Sequence, residues 1–178
     1  MEYTKEIVEE ILNQAIDKLF EVDSYLLKEN YNINERAVSH RLALHLNDHF
    51  KETDYNVDIE YNRIRAEYGN MEDVGNLMGK KLHWENSDED SGENSRFVFP
   101  DIIVHKRDKH DNLIEIEIKM AWKNGKKQYD LDKINQYLDE LNYKFGVYIE
   151  LSEKRKDCVV KFGPFELNKK KPKTQYRI

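Results

Sequence analysis

One stretch of the sequence, residues 96–104, is apolar on both of the faces that a β-strand presents. Side chains alternate between the two faces of a strand, so a strand that borders water on one side shows alternating apolar and polar residues. A strand without that alternation is covered on both faces, which is typical of the middle of a helix-flanked sheet. We therefore predict a central, doubly covered strand here. Its apolar residues are Phe97, Val98, Phe99, Ile102, Ile103 and Val104.

A second strand is predicted at 113–119, where isoleucine alternates with charged residues. The residues between the two strands are turn formers and charged residues, which predicts a hairpin. Periodicity of 3.6 predicts helices at about 2–20, 34–50 and 130–145, and alternation predicts further strands at 57–63, 147–151 and 158–162. Asn34 and Asp130 are the expected N-caps of the second and third helices, and Gly146 is expected to end the third. The order of these elements predicts an α/β fold with a central mixed β-sheet flanked by helices.

The chain has 178 residues, the length of a single domain, and we treat 1–178 as one domain. Residues 64–95 lose all periodicity, and we treat them as an insertion. Within them the acidic run at 85–93 is interpreted as a long loop or a partly disordered segment. Residues 168–178 are predicted to be a basic tail, since four lysines lie between positions 169 and 173.

Charge and cysteine content narrow the classes of function. The 29 Lys and Arg face 35 Asp and Glu, a net charge of −6, whereas broad electrostatic binding of nucleic acid usually comes with a positive excess. Any such binding must therefore use local patches or metal ions. Cys158 is the only cysteine, which excludes an intramolecular disulfide and a cysteine-based zinc site. The acidic start and the lack of an apolar run of about 20 residues predict a cytoplasmic protein without a membrane partner.

Three chemically active side chains follow from the predicted hairpin. Asp101 lies within the covered strand, where a carboxylate costs free energy unless it is paired or holds a metal ion. Asp101 can lie beside Glu117, and Lys119 follows on the same face of the second strand. Two converging carboxylates repel, and a divalent cation relieves the repulsion. Two other interpretations stay open, namely a solvated face of an edge strand and a structural ion pair between Lys119 and Glu117.

A divalent cation at these carboxylates suits the hydrolysis of a phosphodiester. Mg²⁺ takes oxygen ligands, commonly one or two carboxylates with water and substrate phosphate. Such an ion lowers the pKa of a bound water and stabilises the charge of the transition state. Lys119 would add a positive charge beside the attacking water. The predicted cofactor is Mg²⁺, with Mn²⁺ as a substitute.

The order of these residues is similar to a known signature. Pro100-Asp101, then fifteen residues, then Glu117-Ile118-Lys119 resemble the PD-(D/E)xK motif of the restriction-endonuclease-like nuclease superfamily. The resemblance spans roughly residues 33–151 and implies a restriction-endonuclease-like core. It implies that Asp101 and Glu117 bind Mg²⁺ and that the main-chain carbonyl of Ile118 completes the metal site. Lys119 would orient or activate the water.

Glu35 is the fourth candidate catalytic residue. On a helical wheel of 34–50 it falls within the apolar arc rather than opposite it. A glutamate there is either an N-terminal charge favoured by the helix dipole or a side chain that reaches a buried polar site. The resemblance favours the second interpretation, because many of these nucleases contribute an acidic residue from the helix before the first core strand. Glu35 would support the same metal ion or a second one.

His40, Glu60 and Lys133 are accessory candidates, each with a plainer interpretation. His40 lies at the boundary of the apolar arc, Glu60 is expected on the polar face of its strand, and Lys133 is expected at the surface of the third helix. Glu115 shares a face with Glu117 but lies two residues earlier, where it is expected to point past the cleft.

Basic and aromatic residues follow the motif strand directly. Lysines interleaved with rings suit contacts to phosphate and to unstacked bases, although a solvated turn has the same composition. The candidates for binding nucleic acid are Trp122, Lys123, Lys126, Lys127 and Tyr129.

The sequence thus predicts a Mg²⁺-dependent endonuclease or exonuclease with nucleic acid as partner, DNA being favoured over RNA. The alternative is a catalytically inactive nuclease-fold module for binding or assembly. The acidic net charge favours that alternative, and the complete Asp–Glu–Lys set disfavours it. No recognition domain is visible, so specificity is expected to be modest or to come from a homodimer or a separate recognition protein. The resemblance alone implies a setting in bacterial or phage defence, repair or recombination.

Overall fold

The computed structural model describes residues 2–61, 63–65, 77–79, 81–83, 95–107, 109–123, 125 and 127–166, with only the backbone described for the short strands between 63 and 97. The helices are α1 (Lys5–Asp23), α2 (Glu35–Asn47) and α3 (Lys127–Glu140), with 3-10 turns at Ser24–Leu27, Glu29–Tyr31 and Arg155–Asp157. The strands are β1 (Asn56–Ile59), β2 (Arg63–Arg65), β3 (Leu77–Gly79), β4 (Lys81–His83), β5 (Ser95–Phe97), β6 (Ile102–Lys106), β7 (Asp111–Met120), β8 (Phe145–Leu151) and β9 (Val159–Phe162). None of the helices in these ranges combines the length and the apolar character that crossing a membrane requires.

The central sheet has five strands in the order β1-β6-β7-β8-β9. β7 pairs antiparallel with β6 and parallel with β8, so the sheet is mixed. β1 and β9 add antiparallel edge strands. The α/β class, the mixed sheet and the hairpin of β6 with β7 are therefore confirmed. β7 is the longest strand, with ten residues, and lies in the middle of the sheet.

Helices α1 and α2 cover one face of the sheet. In α1 the residues Val8, Leu12, Ile16 and Leu19 recur at helical spacing and are fully buried, and each contributes about 1.5–3 kcal/mol when its side chain leaves water. They form one core with the buried residues of α2 and with the even-numbered apolar residues of β7, which are Ile114, Ile116, Ile118 and Met120.

Helix α3 covers the other face of the sheet. Ile103 of β6 packs there with Tyr137 of α3 and with Tyr143. Because side chains alternate along a strand, the odd-numbered residues of β7 face α3. Those residues are Glu115, Glu117 and Lys119.

The first half of the apolar stretch 96–104 is not part of the central sheet. β6 begins only at Ile102, after a connecting segment in which Val98 is buried and Phe99 is 55% exposed. The prediction of one continuous covered strand is therefore correct from Ile102 onward and wrong before it. Pro100 lacks the N–H that a central strand must donate, which explains the break.

The boundaries of α3 also differ from the sequence-based expectation. The helix begins at Lys127, so Asp130 lies within the first turn instead of capping it. Gly146, expected to end the helix, lies in β8. A Cβ at Gly146 would overlap Cγ2 of Ile134 on α3. This glycine therefore allows the helix to approach the sheet closely.

Two short antiparallel ladders lie in or next to the predicted insertion at 64–95. β2 pairs with β3, and β4 pairs with β5. Strands of three residues are too short to show an alternating pattern, so the sequence does not predict them. The other residues of the insertion, and the predicted tail at 168–178, lie outside the described residues.

Candidate active site

The edge of β7 beyond its pairing with β6 is bound by carboxylates. The β6–β7 ladder ends at Ile116. Further along, the Ile118 N–H donates to Oδ2 of Asp101 at 2.7 Å, and the Met120 N–H donates to Oε1 of Glu35 at 3.2 Å. Two amides that an unpaired strand edge would leave open are thus satisfied by acidic side chains from two different elements.

The main-chain carbonyl of Ile118 lies on the same edge. The N–H and C=O of one residue in a β-strand point toward the same neighbour. Because the Ile118 N–H points at Asp101, its carbonyl oxygen faces the side from which Asp101 and Glu35 approach. A carbonyl and two carboxylates therefore lie side by side along one edge.

Glu35 reaches this edge from the start of α2. The side chain of Asn34 caps the helix by accepting a hydrogen bond from the Arg36 N–H at 3.0 Å, as the sequence predicts for an asparagine at this position. Glu35 is therefore the first residue of the helix and points toward the end of β7. The interpretation that it reaches a polar site agrees with its bond to Met120.

Glu117 lies on the α3 face, one ladder position beyond the pair of Ile116 with Ile102, and therefore across the hairpin from Asp101. Its Oε1 is 2.6 Å from Nζ of Lys133, which also donates to the main-chain oxygen of Phe99 at 2.8 Å. Lys133 is only 7% exposed, so the expectation of a surface residue is wrong. Its ammonium group ties α3 to the motif strand.

Lys119 lies between two acids from different helices. Its Nζ is 3.8 Å from Oε2 of Glu35 and 3.6 Å from Oδ2 of Asp130. The segment between β7 and α3 passes close to it, and a Cβ at Gly125 would overlap Cε of Lys119. Glycine at this position leaves the space that the lysine occupies.

The electrostatics of the site indicate a deficit of positive charge. Burial and the adjacent Glu117 carboxylate raise the pKa of Asp101 to about 7. The same two causes raise the pKa of Asp130, and they raise the pKa of Glu115 well above its usual range. Burial alone would lower the pKa of Lys133, but Glu117 and Glu115 raise it above its ordinary value. The site contains more carboxyl groups than ammonium groups. The carboxyl groups are those of Asp101, Glu115, Glu117 and Asp130, and the ammonium groups are those of Lys119 and Lys133.

Glu115 extends the acidic cluster into the interior. It is fully buried, and neither of its carboxyl oxygens has a hydrogen-bond partner in the described part of the chain. The hydroxyl of Tyr137 is likewise buried there without a partner. An unpaired buried carboxylate is costly, so the folded protein favours the protonated form of Glu115. The expectation that this residue points past the cleft is wrong, because its carboxyl group lies in the interior near Glu117, Lys133 and Tyr137.

The donor atoms of the site are of the kind that hard divalent cations prefer. Carboxylate oxygens and a main-chain carbonyl suit Mg²⁺ or Mn²⁺, and the site lacks positive charge. Within the described residues, no three His, Cys, Asp or Glu side chains form a ready metal-holding group. Glu117 is instead bonded to Lys133.

Two accessory candidates are placed at the surface. His40 is exposed on α2. Glu60 follows the end of β1 with a φ of 49° and forms an ion pair with Nε of Arg36 at 2.6 Å, where both side chains are well exposed. Glu60 therefore lies outside the strand that was predicted to carry it.

The described lysines predicted to bind nucleic acid have partners within the protein. Nζ of Lys123 donates to the Ile33 carbonyl at 2.8 Å, and Nζ of Lys127 pairs with Oε2 of Glu150 at 2.7 Å. Lys126 lies outside the described residues.

The two aromatic candidates differ in exposure. Trp122 is partly buried and packs against the main core. Tyr129, in the first turns of α3, is 44% exposed. Only Tyr129 therefore presents a large part of its ring to solvent.

Asp130 and the burial of Lys133 were missed at the level of sequence. Both residues, together with Tyr137, recur at i, i+3 and i+7 and so share one face of α3. That polar stripe, running beside the apolar stripe of the helix, was the available signal.

Comparisons of this chain with protein-family models, with curated proteins and with solved structures find no match.

Proposed function

We propose that this chain is a metal-dependent nuclease of the PD-(D/E)xK type, which hydrolyses phosphodiester bonds of nucleic acid, DNA in preference to RNA. The observation that carries the proposal is the deficit of positive charge at the end of β7. There the pKa of Asp101 is raised to about 7 by burial and by Glu117. A divalent cation would relieve this repulsion and would find oxygen ligands in place.

The arrangement of elements is compatible with a restriction-endonuclease-like core. A helix that carries an acidic residue, α2, precedes the sheet. The hairpin of β6 and β7 carries the Asp and the Glu-x-Lys, and α3 leads into β8, parallel to β7. This agreement of motif and position supports the proposal more strongly than the short motif alone.

Each residue has a proposed role. Asp101, Glu117 and the carbonyl of Ile118 would hold the cation, and Glu35 would support it or a second ion. When bound, the cation supplies an activated water and stabilises negative charge on the phosphate. Lys119 would hold a positive charge beside that water.

The position of Lys119 is fixed by acids on two helices. Glu35 and Asp130 lie on either side of its ammonium group. These two residues therefore keep the lysine directed at the edge of β7.

Cleavage assays on single-stranded DNA, duplex DNA, branched DNA and RNA, with Mg²⁺ and with EDTA, test the proposal. We expect cleavage that requires the cation and that falls at least about 100-fold in Lys119→Met, as for the loss of one preorganised electrostatic group. Lys51→Met is the matched control, because Lys51 is well exposed and paired with Asp48. Full activity in Lys119→Met, or no cation-dependent cleavage of any substrate by the natural sequence, would contradict the proposal.

The alternative is an inactive nuclease-fold module for binding or assembly, and two observations favour it. The ion pair of Lys133 with Glu117 already supplies a cation to one predicted metal ligand. The net charge of −6 points in the same direction. Such a module would show no Mg²⁺ binding that depends on Asp101.

The setting of the protein is proposed on the resemblance alone. The nuclease would work in the cytoplasm as a homodimer or with a separate recognition protein. Bacterial or phage defence, repair or recombination would be its context.

A further inference from the structure

Phe99 places a large apolar ring close to the candidate site. It precedes Asp101 by two residues and is 55% exposed, although the sequence predicts burial. Its carbonyl is held by the buried ammonium of Lys133, which also holds Glu117. The backbone that carries this ring is therefore fixed to the site.

A second exposed ring lies nearby on α3. Tyr129 is 44% exposed and precedes Lys133 by four residues. Residues four apart lie on the same face of a helix, at about 5–6 Å between their Cβ atoms. Lys133 of α3 donates to the carbonyl of Phe99, in the segment that precedes β6. Both rings therefore lie beside this contact.

The charge of the protein argues against a substrate held mainly through its phosphates. Duplex DNA is bound largely by lysine and arginine contacts to phosphate. Here the net charge is −6, and Lys123, Lys127 and Lys133 have carbonyl or carboxylate partners in the protein. Stacking of bases on aromatic rings does not depend on net charge.

We propose that Phe99 and Tyr129 form a stacking platform for unpaired bases, and that the substrate is single-stranded DNA or an unpaired segment of DNA. This inference rests on the nuclease function proposed above. In a duplex, both ring faces of a base are covered by the neighbouring bases. Only an unpaired strand can therefore place a base against Phe99. The platform thus selects the structure of the substrate rather than its sequence.

Binding of a labelled oligo-dT to the full chain, followed by fluorescence anisotropy, tests the platform without cleavage. The measurement is made in EDTA and, in parallel, with Ca²⁺. We expect about 10-fold weaker binding by Phe99→Ala, since stacking of one base contributes about 1–3 kcal/mol. Phe99→Trp keeps a ring and should bind as the natural sequence does.

Tyr25→Ala is the matched control for an exposed aromatic residue. Tyr25 is also 55% exposed. Tyr25 lies two residues after Asp23, which is hydrogen-bonded to His45 in the last turn of α2. Glu35 and the candidate site lie at the other end of that helix. Loss of Tyr25 should leave the affinity for oligo-dT unchanged, and thermal unfolding should show that each variant is folded.

An oligonucleotide with abasic positions shows whether the ring contacts bases. The natural sequence should bind the abasic strand about 10-fold more weakly than oligo-dT, whereas Phe99→Ala, which keeps only the ring of Tyr129, should show a smaller difference between the two strands. Equal binding of oligo-dT by Phe99→Ala and the natural sequence would overturn the platform. Tighter binding of duplex DNA than of oligo-dT would also overturn it. Tighter binding of oligo-rU than of oligo-dT would overturn the choice of DNA over RNA.

The two proposals fail in different ways. Ring-dependent binding of oligo-dT without cation-dependent cleavage would support the platform and contradict the nuclease. Cation-dependent cleavage with unchanged binding by Phe99→Ala would support the nuclease and contradict the platform. Absence of both binding and cleavage would contradict both.

Discussion

The carboxyl group of Asp101 is held toward its protonated form by its surroundings. Burial and Glu117 raise its pKa to about 7 in the folded protein, against about 3.9 in an unfolded chain. A raised pKa means that the folded state binds the proton more tightly. The free energy of unfolding therefore falls as the pH rises from about 4 to about 7, and this contribution is constant at higher pH.

Asp101→Asn should remove that dependence, because asparagine stays neutral. We expect the variant to exceed the natural sequence in stability at pH 8 by on the order of 2 kcal/mol and to show little gain at pH 4. Urea unfolding at the two pH values, in EDTA, measures the difference. Asp48→Asn is the control, since the ion pair with Lys51 holds the pKa of Asp48 below its usual value. Equal or lower stability of Asp101→Asn at pH 8 would show that the site does not repel a second negative charge.

Lys133 supplies a positive charge that the site requires. Lys133→Met would leave the carboxylate of Glu117 buried beside Glu115 without its cation. Breaking a buried pair by removing one partner costs about 3–5 kcal/mol. We expect that loss in chemical unfolding, and we expect Mg²⁺ to restore more stability to the variant than it adds to the natural sequence.

The double variant Lys133→Met with Glu117→Gln is the control for the charge effect. It should recover part of the lost stability, because no unpaired carboxylate is left at this position. A double variant less stable than Lys133→Met would mean that packing, and not charge, explains the loss.

At the scale of elements, the connection between β7 and α3 sets the position of Lys119. A methyl group at Gly125 would overlap the end of this flexible side chain, and no backbone atom lies as close. Gly125→Ala should therefore change the free energy of unfolding by less than about 1 kcal/mol, within the range of surface substitutions. We expect the same variant to lose cation-dependent cleavage, since the lysine is pushed away from its position between Glu35 and Asp130.

Comparing urea unfolding with the cleavage rate of Gly125→Ala separates these two effects. The substitution acts on Lys119 only through space, so metal binding should be unchanged. A variant that is strongly destabilised, or one that cleaves at the natural rate, would contradict the proposed role of this segment.

The sequence was informative where a periodic pattern is long. The 3.6-residue period predicts the buried face of α1, and Asn34 predicts the start of α2. The isoleucines of β6 and β7 predict these two strands. Strands of three residues, such as β2 and β4, carry no such pattern. The sequence predicts a helix end at Gly146, and this prediction is wrong. The glycine is needed for the close approach of Ile134 on α3, and a contact between two elements leaves no local pattern.

The residues of the candidate site also fall into those that a local pattern predicts and those that it does not. Glu117 and Lys119 could be predicted because alternation places them on one face of β7, and Asp101 because it directly precedes the paired strand β6. The burial of Lys133 and the exposure of Phe99 depend on how α3 lies against the connecting segment. No local pattern encodes that packing.

At the scale of the whole molecule, the net charge of −6 constrains how nucleic acid is held. Each phosphate neutralised on a single strand adds about −0.7 to the slope of log K against log salt concentration. With the described lysines near the site already paired, we expect a slope shallower than about −2 for oligo-dT. Anisotropy titrations at several salt concentrations measure it. A slope of about −5 or steeper would indicate a broad phosphate-binding surface, contrary to the stacking platform.

The central claim is that Asp101 and Glu117, at the end of β7, form a site for a divalent cation. Calorimetric titration with Mg²⁺ and Mn²⁺ on the natural sequence, Asp101→Asn and Asp48→Asn tests it most directly. The predicted result is binding that Asp101→Asn abolishes and Asp48→Asn leaves unchanged. Equal cation binding by Asp101→Asn and the natural sequence, or no binding by the natural sequence, would contradict the claim.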